Sequence, residues 1–406
     1  MIPAFKTIEQ PHWLPRFSFT YFYGAIIYIL LLTSCHYTTQ PEKKAETSSI
    51  KKIVIFPAAQ LSPTETIRLQ QACQQWFGSV LDRGLFNGGM LVAKGGNIIF
   101  EQYRGTNPLG SDSTVNAETN FHIASVSKTF TAMAVLKLAE EGKLHLDDQF
   151  SLHFPNFNYP GVTIRNLLSH RSGLPNYLYF MEDLKWDKKI SLKNQDVYDA
   201  LVNQKAVIKN ISSPNTHFTY CNTNYALLAL LIEKVTGTSY PVYLQKNFFE
   251  PMQMKNTFVY TLADSTRASA NYDWRGQVIS NNYLDYVYGD KNIYSTPRDL
   301  LIWDRVLSSN LLFKETTLME AYQPYSNERP GIKNYGLGWR MNIYPSGKKI
   351  IFHNGWWHGN NASFIRMPAQ DATIIVLGNR YNRGIYKAYK LINAFDSYFE
   401  VMEEEE

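Results

Sequence analysis

Strand-like patterning sits at the two ends of this sequence and helix-like patterning lies between them, which limits the folds open to the chain more than any other feature. Early on, Gly89–Ala93 and Ile98–Phe100 are short apolar runs flanking Lys94-Gly95-Gly96-Asn97, a hairpin pattern. Near the other end, Tyr335–Ile343, Lys349–His353, Ala362–Met367 and Thr373–Leu377 read as an antiparallel meander, with turns at Pro345-Ser346-Gly347 and Pro368-Ala369-Gln370-Asp371. The middle is helical segments and long loops. One helix opens at Ser125 and runs to Glu141, stopped by Gly142; another covers Thr223–Lys234 and ends at Gly237; a third covers Asp299–Leu307. Helices are also expected over Thr64–Leu81 and Gly384–Met402. The economical architecture is α/β (α+β): one antiparallel sheet built from both chain ends and faced by helices, with an α-rich region inserted between the two parts. A cleft at their junction is the expected place for chemistry.

The chain has 406 residues, 45% hydrophobic and 18% charged, so it holds enough material for a sizeable core. Its net charge of +5 is spread out rather than gathered into a basic stripe, which argues against a nucleic-acid partner. The apolar stretch Tyr21–Leu32 is about a dozen residues, short of the roughly 20 that cross a bilayer, and suits a signal-peptide core. It leads into Leu31-Leu32-Thr33-Ser34-Cys35, which resembles a bacterial lipobox and makes Cys35 the expected site of lipidation. An ordinary signal peptide or an anchor helix remains the alternative. The expected layout is a leader over 1–34, a flexible tether over 35–62, a globular domain over 63–402 and an acidic tail over 403–406. Within the domain, 63–143 and 285–402 form the α/β part and 144–284 the α-rich part. Lipidation would place the protein at the bacterial cell envelope, anchored to a membrane with its globule outside the cytoplasm. Cys73 and Cys221 are too few for a disulfide framework and read as small buried residues.

Ser-x-x-Lys alone is weak, since about one or two matches arise by chance in such a chain; Ser48/Lys51, Ser49/Lys52 and Ser346/Lys349 also fit, in the tether and a hairpin turn. Ser125-Val126-Ser127-Lys128 differs because it opens a helix whose interior, from Phe130 to Ala139, is apolar nearly all round and therefore buried between layers. Three residues of spacing put Ser125 and Lys128 on one face. The helix N-terminus offers backbone N–H groups to an oxyanion, while its positive potential and burial both disfavour an ammonium on Lys128. That is the condition under which a lysine can take a proton from Ser125. The bland alternative is a capping serine with a snorkelling lysine.

Two further elements follow. Tyr220-Cys221-Asn222 precedes the Thr223–Lys234 helix, where a tyrosine can shuttle a proton and an asparagine can hold an amide, or both can serve as core and cap. His353-Asn354-Gly355 stands at the expected end of the strand Lys349–His353. There the glycine would let a substrate backbone lie close, and the histidine would offer a polar or cationic contact, or be structural.

Ser-x-x-Lys, Tyr-x-Asn and His-x-Gly in this order resemble the three-motif active site of the serine β-lactamase/penicillin-binding-protein superfamily, in its class C β-lactamase and D-alanyl-D-alanine carboxypeptidase branch. Phe121-His122-Ile123-Ala124-Ser125, the stretch Val162–Pro175 ending Ser172-Gly173-Leu174-Pro175, Tyr294–Leu300 and Tyr335-Gly336-Leu337-Gly338-Trp339 are similar to further blocks of that family. The likeness spans about residues 65 to 400. It implies a β-lactamase/transpeptidase-like fold and an acyl-enzyme on Ser125, with Lys128 and Tyr220 moving its proton and water releasing the acyl group. It further implies that Asn222, His353 and Gly355 bind substrate, and that the backbone N–H groups of Ser125 and Trp356 form the oxyanion hole. No cofactor and no metal are expected.

Three departures are visible. Cys221 stands where serine is usual, Gly289-Asp290-Lys291-Asn292 replaces a glycine-rich block, and Lys-Thr-Gly is absent. Histidine in the third motif is closer to carboxypeptidases than to class C β-lactamases. Hydrolysis of a D-amino-acid peptide, a cell-wall-related amide or an ester is therefore ranked above β-lactam hydrolysis. A penicillin-binding sensor without turnover is the non-enzymatic alternative. Metal-dependent hydrolysis through His353 and His358 lacks any ligand spacing. Ser169-His170 are adjacent and cannot act as a facing pair, so a structural role beside Gly173-Leu174-Pro175 is expected. The loops 177–215 and 355–361, with Trp356, Trp357 and His358, are expected to set specificity.

Overall fold

The computed structural model describes residues 58–107 and 114–399. The expected leader, the expected lipidation site Cys35 and the acidic tail lie outside the described residues. Of the expected tether, residues 58–62 are described, and there Ala59 is hydrogen bonded to Gly95 of the hairpin turn at 2.7 Å.

A seven-stranded antiparallel sheet runs in the order Asn97–Arg104, Gly88–Lys94, Ala372–Gly378, Asn360–Met367, Lys349–Trp357, Arg340–Ile343, Lys333–Tyr335. The first hairpin and the last three strands therefore sit side by side, as the two-ended patterning predicts. Its central strands are apolar on both faces because both are covered. Met90, Val92, Ile374 and Val376 pack with Leu69 and Cys73 of helix Pro63–Trp76 and with Ile385 and Leu391. Their sequence neighbours Leu91, Ala93, Ile375 and Leu377 point the other way, into the helices Ser127–Glu140, Asn222–Thr236 and Pro297–Leu307. Helix Asn222–Thr236 stops at Gly237, whose φ of 65° is the left-handed conformation a glycine takes most cheaply.

Three expectations about elements are corrected. The run Tyr335–Ile343 is two strands, Lys333–Tyr335 and Arg340–Ile343, not one. The break lies at Gly336-Leu337-Gly338, where a Cβ on Gly338 would stand 2.3 Å from the Cβ of Ala132, so the chain leaves the sheet to press on the buried helix. The closing segment is not an α-helix over Gly384–Met402. Arg383–Leu391 is a 3₁₀ helix followed by one short α-helix, Ile392–Phe395. Its buried residues Ile385, Ala388 and Leu391 recur every third position, which is the 3₁₀ repeat. Finally, His353-Asn354-Gly355 lies inside strand Lys349–Trp357 rather than at its end. Pairing with Arg340–Ile343 stops at Phe352, while pairing with Asn360–Met367 continues through Trp357.

That mismatch matters for the site. From His353 to Trp357 the strand is paired on one edge only within this sheet. Among the described residues no helix is long and apolar enough to cross a membrane.

Candidate active site

Ser125 sits in a 3₁₀ turn, Ala124–Val126, that runs directly into helix Ser127–Glu140. Ala124 holds a φ of 48°, unusual for a residue with a side chain. The surroundings over-determine it. His122 Nδ1 accepts the Ala124 N–H at 3.1 Å, and the other imidazole nitrogen meets Asn292 Oδ1 at 3.0 Å, so Nε2 carries the proton. Burial pushes the His122 imidazole down to about 4, which keeps it neutral and able to accept. Ile293 N–H donates to Ser127 Oγ at 3.1 Å, and Ile123 N–H to Ile293 carbonyl at 2.9 Å. The turn that carries the nucleophile candidate is thus tied on both sides of Ser125 to Ile293, whose strand Ile293–Ser295 pairs with the short strand Phe121–His122 leading into the turn.

Lys128 is fully buried. Its Nζ donates to Ser125 Oγ at 3.0 Å and to the carbonyl of Asp290 at 2.7 Å. It lies 5.0 Å from the ring centroid of Tyr220 and 5.6 Å from that of Tyr225. The one-turn spacing read from the sequence therefore becomes a direct contact, and the amine is out of solvent.

Tyr220 and Asn222 reach the same place from the start of helix Asn222–Thr236. His170 organises the approach: its Nδ1 accepts the Cys221 N–H at 3.1 Å, and its ring lies 4.4 Å from that of Tyr220. The structural role expected for the Ser169-His170 pair is in this sense a positioning one. The Cys221 thiol is buried, its Sγ directed at the carbonyls of Leu174 and Pro175. Asn222 lines the cleft with a buried Oδ1 that has no hydrogen-bond partner among the described residues.

On the facing strand, Gly355 passes so close to the turn carrying Ser125 that a Cβ would lie 2.3 Å from the Ile123 carbonyl oxygen and 3.1 Å from the Ser125 nitrogen. Its neighbour Trp356 is exposed at the mouth. His353 is fully buried, with Nε2 3.3 Å from Tyr335 Oη and Nδ1 2.8 Å from the Asn354 carbonyl. Burial, then the charges of Arg340 and Lys128, holds its imidazole well below the usual range. Of the polar or cationic contact expected of His353, the cationic form is corrected: it is a neutral imidazole, because burial first and then the nearby Arg340 guanidinium oppose its proton. Trp357 and His358 are tied to Asp285, at 2.5 Å from the indole and 3.0 Å from the imidazole. Among the described residues no group of three or more His, Cys, Asp or Glu side chains is placed to hold a metal.

These groups open onto one cavity of about 1050 Å³, which Ser125, Tyr220, Asn222, Gly355 and Trp356 help to line. The sequence reading missed Arg340. Its guanidinium stands in the cavity wall, 5.0 Å from the Tyr220 ring centroid and 5.9 Å from that of Tyr335. It has no carboxylate or hydrogen-bond partner among the described residues. The available signal was that Arg340 is the single charge in the otherwise uncharged run Tyr335–Ile343.

Comparison with known proteins bears on this arrangement. The family model described as Beta-lactamase matches residues 73–395. Penicillin-binding protein 4* of Bacillus subtilis (strain 168) is 32% identical over 337 residues, covering 78% of this chain and 74% of that protein. Protein flp of Staphylococcus aureus (strain MW2) is 28% identical over 351 residues, covering 80% of this chain and 67% of its own length. Among solved structures, a penicillin-binding protein from Bacillus halodurans superposes with a TM-score of 0.68 at 26% identity, covering 80% of this chain and 98% of that one. D-amino acid amidase from Ochrobactrum anthropi SV3 shares the fold, with a TM-score of 0.67 at 22% identity over 81% of this chain and 98% of that one.

Proposed function

The chain belongs to the beta-lactamase family, a superfamily of serine hydrolases and penicillin-binding proteins, and from that premise we propose that it hydrolyses a D-amino-acid peptide or related cell-wall amide through an acyl-enzyme on Ser125. The observation that carries the reading is the contact of the buried Lys128 amine with Ser125 Oγ at 3.0 Å.

In this reading Lys128 takes the hydroxyl proton as Ser125 Oγ attacks the substrate carbonyl. The oxyanion that forms is met by the backbone N–H groups of Ser125 and Trp356, at the point where Gly355 lets strand and turn approach. The proton returns to the leaving amine through Lys128 and Tyr220. Water then attacks the ester, and Ser125 recovers its proton by the same route. The orphan Oδ1 of Asn222 suits a substrate N–H, because an unpartnered buried acceptor gains most from a donor. Arg340, a cation with no partner of its own, suits the terminal carboxylate of a peptide. That feature ranks a substrate ending in a free carboxylate, as in carboxypeptidase-like action, above a simple ester.

A fluorescent penicillin or fluorophosphonate is expected to label the wild type at Ser125 and to leave Ser125→Ala unlabelled, with release of the terminal residue from a D-Ala-D-Ala peptide. Equal labelling of both proteins would remove the proposal. A wild type that acylates but never deacylates would favour the sensor alternative.

A further inference from the structure

A second buried lysine stands beneath the pair just described. Asp290 and Lys291 are adjacent residues, 1% and 3% exposed, on the segment that replaces the glycine-rich block expected by resemblance. Lys291 Nζ lies 3.5 Å from Asp290 Oδ2. Tyr177 Oη donates to that same oxygen at 3.1 Å and accepts from Lys291 Nζ. The amine also sits 4.8 Å from the centroid of Trp357, on the strand that borders the cleft. Asp290 therefore holds two lysines: Lys128 through its backbone carbonyl and Lys291 through its carboxylate.

A buried carboxylate without a partner is costly, and one carried by the very residue whose carbonyl accepts from Lys128 would also attract a proton onto that amine. The acylation step needs the opposite. We propose that Lys291 is a positioning residue for Lys128: it neutralises Asp290, so that the Asp290 carbonyl stays aimed at the Lys128 amine with no net negative charge beneath it. This rests on the reading of Lys128 as the base.

The other charged and titratable groups facing the two amines leave this balance to the Asp290–Lys291 pair. Around Lys128, His170 and His353 are held neutral by burial, Tyr225 is pushed well above its usual range by burial, and Tyr220 and Arg340 flank the cleft side. Around Lys291, Tyr177 is likewise raised by burial. Asp285 is occupied by His358 and Trp357, and His122 is neutral. Burial is also the main influence lowering Lys291 itself, opposed by Asp290 and Asp285, which is how a paired buried cation behaves.

The test is the pH profile of Ser125 labelling by a fluorophosphonate in four proteins. In Lys291→Met the uncompensated carboxylate should move the acid limb up by about one pH unit or more. In Asp290→Asn the limb should move down. Lys291→Arg should keep the wild-type limb, and the double variant Asp290→Asn/Lys291→Met, which again carries no net charge, should return it toward wild type. Lower rates with an unmoved limb in Lys291→Met and in Asp290→Asn would overturn the proposal. Should Lys291→Met fail to fold, the Asp290→Asn and double-variant limbs decide it. Loss of labelling in Ser125→Ala is scored separately, so failure of the charge argument is distinguishable from failure of the nucleophile assignment.

Discussion

Substituting Gly355→Ala tests how closely catalysis depends on the approach of one strand to one turn. The added methyl would lie 2.3 Å from the Ile123 carbonyl oxygen, 3.0 Å from the Ala124 Cβ and 3.1 Å from the Ser125 nitrogen. None of these is the loose end of a long side chain. The Ile123 carbonyl is already engaged, accepting the Val126 N–H at 3.1 Å to close the nucleophile turn. The strand is held from behind, with Gly355 paired to Ala362 and its carbonyl accepting from Tyr386 Oη at 2.8 Å. Ordinary contact is reached only if strand and turn part by about 1 Å, a misplacement that costs a reacting geometry roughly 100-fold, or about 2.7 kcal/mol of transition-state stabilisation. Overpacking should cost the fold about 1–3 kcal/mol, so the variant remains folded. The assay is the second-order rate of Ser125 labelling beside a thermal melt. A rate within about threefold of wild type in a protein with an unchanged melt would refute the argument, since the close approach would then not set the geometry of the oxyanion site.

Two further outcomes are expected. His122 titrates at about 4 in the fold against 6.5 when free, so its contribution to stability is complete above pH 6.5 and is lost as pH falls toward 4; the loss amounts to about 3 kcal/mol. Denaturant midpoints from pH 7 to pH 4 should therefore fall less steeply in His122→Gln than in wild type, and parallel curves would count against a neutral buried imidazole. Arg340→Gln should lower kcat/KM by roughly 10- to 100-fold for peptides ending in a free carboxylate, the worth of a charge-assisted hydrogen bond. The same peptides with amidated ends should be little affected, and an equal loss on both would show that Arg340 does not read the carboxylate.

Much of the site was legible because its chemistry is local. Ser125 and Lys128 are one helical turn apart, so their contact follows from spacing once the helix is recognised as buried. Tyr220-Cys221-Asn222 was legible as a helix entry, whereas the contact of the buried Cys221 thiol with the Leu174 carbonyl joins positions far apart in the chain. Arg340 was not legible as a cleft residue. Nothing local distinguishes an exposed strand arginine from one left without a carboxylate in a cavity wall. The charge state of His353 was also out of reach, because it depends on Arg340 and Lys128, 13 and 225 positions away in the chain.

The sequence by itself determined the sheet's membership, the helices that cover it and the pair Ser125–Lys128, because periodicity and short spacings encode which faces are buried and which side chains meet within one turn. It could not set the repeat of the Arg383–Leu391 segment, the interruption at Gly336-Leu337-Gly338 or the open edge of strand Lys349–Trp357. Each of these was decided by what packs against the segment from elsewhere in the chain. The same is true of the charge beneath Lys128. Whether a buried carboxylate helps or hinders a neighbouring amine depends on the distances among Asp290, Lys291 and Tyr177, and only the folded chain brings Tyr177 to that pair.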